Sequence, residues 1–371
     1  FAHLKAPAGE VAGVQHPALD VVGATLPGMP FVVLGRTAGV AWGFTNTAPD
    51  VQDLYLEQIR PGQGQRYRTP DGWADFAVRQ EVIRVKGQGD VLLQVRSTRH
   101  GPVISDIQPF YDGLLDKSRY AMALRWSALD ADNRTMDAGI LANQAQTVAQ
   151  LQAAYAQHHS PMQSVVMADT QGQVGFKATG RVPIRSKLND LMGVAPAPGW
   201  LAAYDWTDWL PYEQTPEIKH AEIEAKGWHA TANQRITAEN YPHFLTSDWN
   251  GPERHERIWQ MLDEKQTLDA GDMSRMQNDV LSLGAKAVLP YALLAACAVV
   301  TMLQPSGQPM VEVLAVLGQQ SELAGLGLVA DLPEAVVVQR VLDEDQHGDH
   351  REGHAAGARP DQAADRHVER R

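Results

Sequence analysis

Serine is plentiful in this chain, yet none sits in a Gly-x-Ser-x-Gly elbow. That strand-to-helix turn exposes a nucleophilic hydroxyl to a histidine and a carboxylate, so a self-contained Ser-His-Asp hydrolase has no support. The single cysteine, Cys297, lies in an apolar run, which leaves no disulfide framework and no thiolate zinc site within the chain. His347, His350 and His354 have spacing that could suit a metal, but no aromatic or periodic apolar residues surround them and they read as tail sequence. His158 and His159 follow a helical segment and read as C-terminal capping residues. The remaining polar groups of interest are amides and carboxylates: Asn46, Asn233, and the run Asp50, Gln52 and Asp53 after Pro49. Taken alone, Asn233 reads as a turn-capping asparagine and Asp50 and Asp53 as a Pro-Asp turn with solvent-facing carboxylates.

Composition narrows the partners. Acidic residues outnumber basic ones 44 to 32, for a net charge of -12, which repels a phosphate backbone and excludes nucleic acid. A hydrophobic content of 44% fills a globular core, with room for one large or two ordinary domains. The longest apolar stretch, Ala287 to Leu303, is shorter than the roughly 20 residues a bilayer demands, and Pro290 interrupts it. It is expected to be a buried helix, with no membrane partner. Phe1 is preceded by no initiator methionine and no leader, so a segment is expected upstream.

The elements that must position these groups are mostly antiparallel strands followed by helices, an α+β arrangement. Phe31 to Leu34 and Val40 to Phe44 flank Thr37-Ala38-Gly39, a hairpin turn with a glycine free to take positive φ. Glu81 to Lys86 pairs with Val91 to Thr98 across Gly87-Gln88-Gly89-Asp90, and Ser164 to Ala168 with Val174 to Ala178 across Asp169 to Gln173. Thr147-Val148-Ala149-Gln150 is a capping box opening a helix to about Gln157. Leu191 to Tyr212, rich in Pro, Gly and Trp, reads as an ordered surface loop packed by its own aromatics. Helical periodicity returns over Pro252 to Leu262 and Leu268 to Leu283.

The run from Thr25 to Arg36, continuing through Val40-Ala41-Trp42-Gly43-Phe44-Thr45-Asn46-Thr47 to Asp53, resembles the β-chain of the penicillin acylase family. Further landmarks follow in the family's order: His100-Gly101-Pro102-Val103, Arg125-Trp126, Ala168-Asp169 with Gly172, Pro198-Gly199-Trp200, Thr231-Ala232-Asn233, Tyr241-Pro242, and Ser247-Asp248-Trp249 with Arg254. They span residues 1 to about 291, and several motifs in register are far more specific than any one. The resemblance implies an αββα N-terminal-nucleophile hydrolase, incomplete at its N-terminus here. Such an enzyme is made as a precursor that cuts itself to free a serine, which attacks an N-acyl amide with its own α-amino group as base. An α-amino group titrating at about 7.7 to 8.0 suits that task. The substrates implied are β-lactam antibiotics or acyl-homoserine lactones, the partner is the enzyme's own α-chain, and the location is periplasmic or secreted.

Residue by residue, the resemblance gives Asn233 the side-chain oxyanion donor, Asn46 a main-chain N–H donor, and Arg254 a place beside the oxyanion asparagine. Leu34 and Phe44 match positions lining the acyl pocket. Asp50, Gln52, Asp53 and Asp248 match a structural calcium site in several members, with Gln52 contributing its carbonyl and a further carboxylate coming from the α-chain. A hard cation takes six to eight oxygens, so these four alone leave the shell incomplete. Read without its nucleophile, the chain by itself is expected to show no turnover, at most binding calcium or a partner.

At Tyr291 the character changes: every Phe, Trp and Tyr lies at or before it, and the last lysine is Lys286. Residues 292 to 371 are therefore expected to be a separate, non-family tail, from a shifted reading frame or without stable order.

Overall fold

The structure, a computed structural model, describes residues 1–303, and their side chains as far as residue 295. The tail expectation beyond Leu303, including the three histidines, lies outside the described residues. The chain divides into two units, Phe1–Ala287 and Val288–Arg371.

The first unit is built on a seven-stranded antiparallel sheet. Its strands run in the order Ala2–Ala6, Leu19–Ala24, Leu34–Arg36, Val40–Asn46, Gln163–Asp169, Val174–Thr179 and Glu217–Ile218. Two helices, α1 (Thr135–Ala142) and α2 (Val148–Tyr155), lie against one face, burying Ala142 of the first and Val148, Leu151, Ala154 and Tyr155 of the second. Strand alternation sends Val40 and Trp42 to that face, where they meet Leu151, Tyr155, Val165 and Met167. The Thr147 hydroxyl caps α2 by accepting from the Gln150 N–H at 3.2 Å, while the Gln150 side chain accepts from Gln146 N–H rather than closing the expected box on Thr147.

The first hairpin differs from expectation. Only Leu34–Arg36 pairs with Val40–Asn46, and the preceding Val32 is held by the Asn143 side chain, which donates to its carbonyl and accepts from its N–H, both at 2.7 Å. An amide side chain thus substitutes for a strand partner. Gly39 does not adopt positive φ. It is small because a Cβ there would lie 2.3 Å from the Gln146 carbonyl oxygen. The hairpin around Gly172 pairs as expected, whereas the one around Gly87 pairs Ala77–Ile83, not Glu81 to Lys86, with Val91–Thr98, so its turn already begins at Arg84; Gly87 and Gly172 take positive φ.

A second sheet places Gln52–Arg60 between Tyr120–Trp126 and Gln63–Thr69, and the latter pairs on with Gly72–Asp75. Ala197–Pro198, from the aromatic-rich loop, adds to Gln52–Arg60 in parallel. That loop is ordered partly by its own aromatics, Trp206 and Trp209 meeting edge-on at 5.5 Å, and partly by pairing of Trp206–Trp209 with Pro183–Arg185. The strand Gln52–Arg60 follows the site strand Val40–Asn46 after a five-residue turn, so one turn joins the two sheets.

The later helices are α3 (His220–Lys226), α4 (Glu253–Asp263), α5 (Ala270–Gln277) and α6 (Leu283–Leu303). The Leu268 to Leu283 helix expected from periodicity ends early, at Gln277, where Asn278 takes a non-helical conformation. The apolar stretch at Ala287 to Leu303 is helical with Pro290 inside it. No described helix is long and apolar enough to cross a membrane. His158 and His159 do not cap α2: His158 Nε2 lies 2.7 Å from the Pro161 carbonyl, and His159 Nδ1 accepts from the Arg134 N–H at the start of α1.

Candidate active site

Asn46 ends the site strand in an exposed position, and Asn233 lies far along the chain in the loop between α3 and α4. They meet. The Asn233 side-chain Nδ2 donates to the Asn46 carbonyl at 2.8 Å, and Arg254, in the first turn of α4, donates from Nη2 to Asn233 Oδ1 at 2.9 Å. A guanidinium can only donate, so it fixes which end of the amide faces α4 and turns Nδ2 toward the strand. One Nδ2 hydrogen is committed to Asn46, and the second has no partner among the described residues. That hydrogen is a preset donor of the kind that stabilises developing negative charge on oxygen.

The backbone supports this placement. Asn233 has φ of +68°, in the left-handed region that asparagine tolerates better than most residues. Its loop is fixed on both sides, by the Ala232 N–H donating to Gln234 Oε1 at 2.7 Å and by Thr45 Oγ1 donating to Thr231 Oγ1 at 2.9 Å. The threonine pair ties the loop to the residue before Asn46, a link that no local sequence signal reveals. Leu34 and Phe44 sit half-buried on neighbouring strands, with Phe44 packed against the core under α2.

Behind Asn233 the loop passes His229, whose ring meets Phe176 at 4.8 Å, and Trp228, which meets Trp259 of α4 edge-on at 4.9 Å. Burial, with His255 and Lys226 nearby, pushes the His229 imidazole down to about 4, so it is neutral near pH 7. The same helix that carries Arg254 therefore also anchors the approach to Asn233.

Of the positions that the resemblance links to calcium, Asp50 and Asp53 meet at the guanidinium of Arg185. Among the described residues no three His, Cys, Asp or Glu side chains gather to hold a metal ion. Asp53 is buried, and both its oxygens are taken: Oδ1 accepts from Arg185 Nη2 at 2.6 Å, and Oδ2 from Arg185 Nε at 2.9 Å and Trp206 Nε1 at 2.7 Å. Asp50 Oδ1 accepts from Thr246 at 3.2 Å, while its Oδ2 is buried without a partner. Burial raises the Asp50 carboxyl above the usual range. Gln52 and Asp248 are exposed. As arranged, this donor set does not fit a hard cation, because a guanidinium already occupies its central carboxylate.

Two landmark motifs form a different cluster. His100, stacked on Tyr55 with ring centres 3.6 Å apart, places Nδ1 at 2.7 Å from Glu57 Oε1 and Nε2 at 3.1 Å from Asp205 Oδ1. Arg99 clasps Asp205 through both oxygens and donates to the Gly199 carbonyl. The loop carrying Pro198-Gly199-Trp200 is thereby locked to the second sheet, a structural duty for both motifs.

Comparisons with known proteins give the family and the fold. The sequence model of the family described as penicillin amidase matches residues 2–329, past Tyr291. The acyl-homoserine lactone acylase QuiP of Pseudomonas aeruginosa is 33% identical over 280 residues, covering 73% of this chain and 32% of the relative. Penicillin acylase 2 proenzyme of a Pseudomonas species is 31% identical over 265 residues, covering 71% and 32%. Thus the chain spans about a third of the length of these relatives. Among solved structures, a thermostable penicillin G acylase from Alcaligenes faecalis superposes with a TM-score of 0.63 at 20% identity, over 82% of this chain and 51% of that one. The fold is that of the N-terminal-nucleophile hydrolases.

Proposed function

The chain belongs to the penicillin amidase family, and from that premise we propose that it is the oxyanion-stabilising body of an amidohydrolase acting on N-acyl compounds. In this reading the nucleophile is an N-terminal serine on a segment outside these residues. Its hydroxyl attacks the amide carbonyl while its α-amino group takes the proton, and the amine leaves as an acyl-enzyme forms. Water then releases the acid. The free Nδ2 hydrogen of Asn233 and the main-chain N–H of Asn46 donate to the oxyanion in both steps. Leu34 and Phe44 face the acyl group.

The observation that carries the reading is the Arg254–Asn233–Asn46 chain of hydrogen bonds, which orients an amide donor at the end of the strand. Relatives named for penicillin and for acyl-homoserine lactones make both a phenylacetyl and a long alkyl acyl group reasonable. The test is a precursor carrying the upstream segment together with these residues, incubated with phenylacetyl and long-chain acyl amides. Amine release and a serine-linked acyl adduct in the intact mass are expected for at least one of them. A processed precursor that forms neither adduct nor amine with both classes overturns the reading.

A further inference from the structure

We propose that Arg185 is the resident cation of this fold, its guanidinium filling the charge position at Asp50 and Asp53 so that no calcium binds there. This goes beyond the amidohydrolase reading and does not depend on turnover. The Arg185 side chain is 0% exposed and Asp53 4%. Besides its two bonds to Asp53, the guanidinium donates from Nη2 to the Asp50 carbonyl at 2.8 Å. Main-chain and carboxylate oxygens of one turn therefore converge on a planar cation, as they would on a metal, but in the forked geometry that suits arginine.

The surroundings are shaped for that side chain. Trp206 and Phe244 rings lie 5.7 and 5.9 Å from its central carbon, and Trp206 also donates to Asp53. Gly193 closes the site at φ of +89°, and a Cβ there would fall 2.6 Å from Asp53 Oδ1 and 2.9 Å from Arg185 Nη2. The cluster also holds one leftover acceptor, Asp50 Oδ2, and one leftover donor, Arg185 Nη1, so its unmatched groups are of opposite sign. A divalent ion entering here would meet a fixed positive charge and lose the Asp53 carboxylate to it. Arg185 instead joins three distant segments: the turn after Asn46, the strand Pro183–Arg185, and the loop carrying Phe244 and Thr246.

The experiment uses the full chain after treatment with EDTA. It is titrated calorimetrically with calcium chloride and melted with calcium at about 5 mM, above even protein sites with dissociation constants of about 10⁻³ M. No binding heat and an unchanged melting temperature are expected. One calcium bound per chain, with a rise in melting temperature that Asp53→Asn abolishes, overturns the proposal. Arg185→Met then tests the equivalence of the two cations: with the guanidinium gone and the stem retained, calcium is expected to raise the melting temperature of the variant. A folded Arg185→Met that gains nothing from calcium also overturns the proposal, and if that variant does not fold, the titration of the unaltered chain decides.

Discussion

Replacing His100 by alanine should be among the most damaging single changes in this chain that leave the amide-handling residues untouched. Glu57 is fully buried, and among the described residues its Oε2 has no partner and Oε1 has His100 as its only side-chain partner. Each ring nitrogen of His100 faces a carboxylate, and only the doubly protonated ring donates to both. Removing the ring strands the Glu57 carboxylate in the interior, which typically costs about 3–5 kcal/mol. The stacking contact with Tyr55 is also lost. At about 2–4 °C per kcal/mol for a body of this size, a drop of about 6–20 °C is expected. Urea unfolding followed by tryptophan fluorescence measures it directly. The control is Glu57→Leu with His100→Leu, since replacing both members of a buried pair by apolar groups is often nearly neutral, whereas removing one is not. A cost below about 1 kcal/mol for His100→Ala would refute the reasoning. So would a double variant as unstable as the sum of the two single ones.

Three further outcomes follow from local geometry. Gly39→Ala, whose Cβ would press on the Gln146 carbonyl at 2.3 Å, should lose about 1–3 kcal/mol in the same assay, whereas Gly43→Ala, with nothing nearer than 4.0 Å, should not. Because His229 is held at about 4, below the ordinary value of 6.5, the unfolded chain takes up its proton first as the pH falls. The His229 contribution to stability should therefore decline from about pH 6.5 to about pH 4, and His229→Gln should flatten the slope over that window in a pH series of melting curves. In an active precursor, Arg254→Ala should lower kcat by about 10- to 100-fold, the worth of a charge-assisted hydrogen bond, with KM little changed.

Much of the architecture was legible locally. Turn chemistry located the hairpins around Gly87 and Gly172, and Thr147 marked the start of α2, because each depends on residues a few positions apart. Where distant contacts decide, local reading failed. Gly39 suggested positive φ, but its smallness answers a carbonyl more than a hundred residues away. The strand expected at Phe31 to Val33 is instead bound by Asn143, and the histidines after α2 serve α1 and the Pro161 carbonyl. Asn46, Asn233 and Arg254 were nominated through family resemblance, not through spacing, and the structure brings all three together. Asp53 shows the limit of that route: the acidic turn was visible, but its partner Arg185, 132 positions away, carries no motif that would announce a buried cation.

The central claim, that the Asn233 amide is a preset oxyanion donor, is tested most directly by the kinetics of Asn233→Ala in a processed precursor with its serine present. The account predicts that kcat for a cleaved N-acyl amide falls by about 10²–10³, with KM within a few-fold and normal self-processing. An unchanged kcat in a correctly processed enzyme would contradict it, and would leave Asn233 as a residue that only shapes its loop.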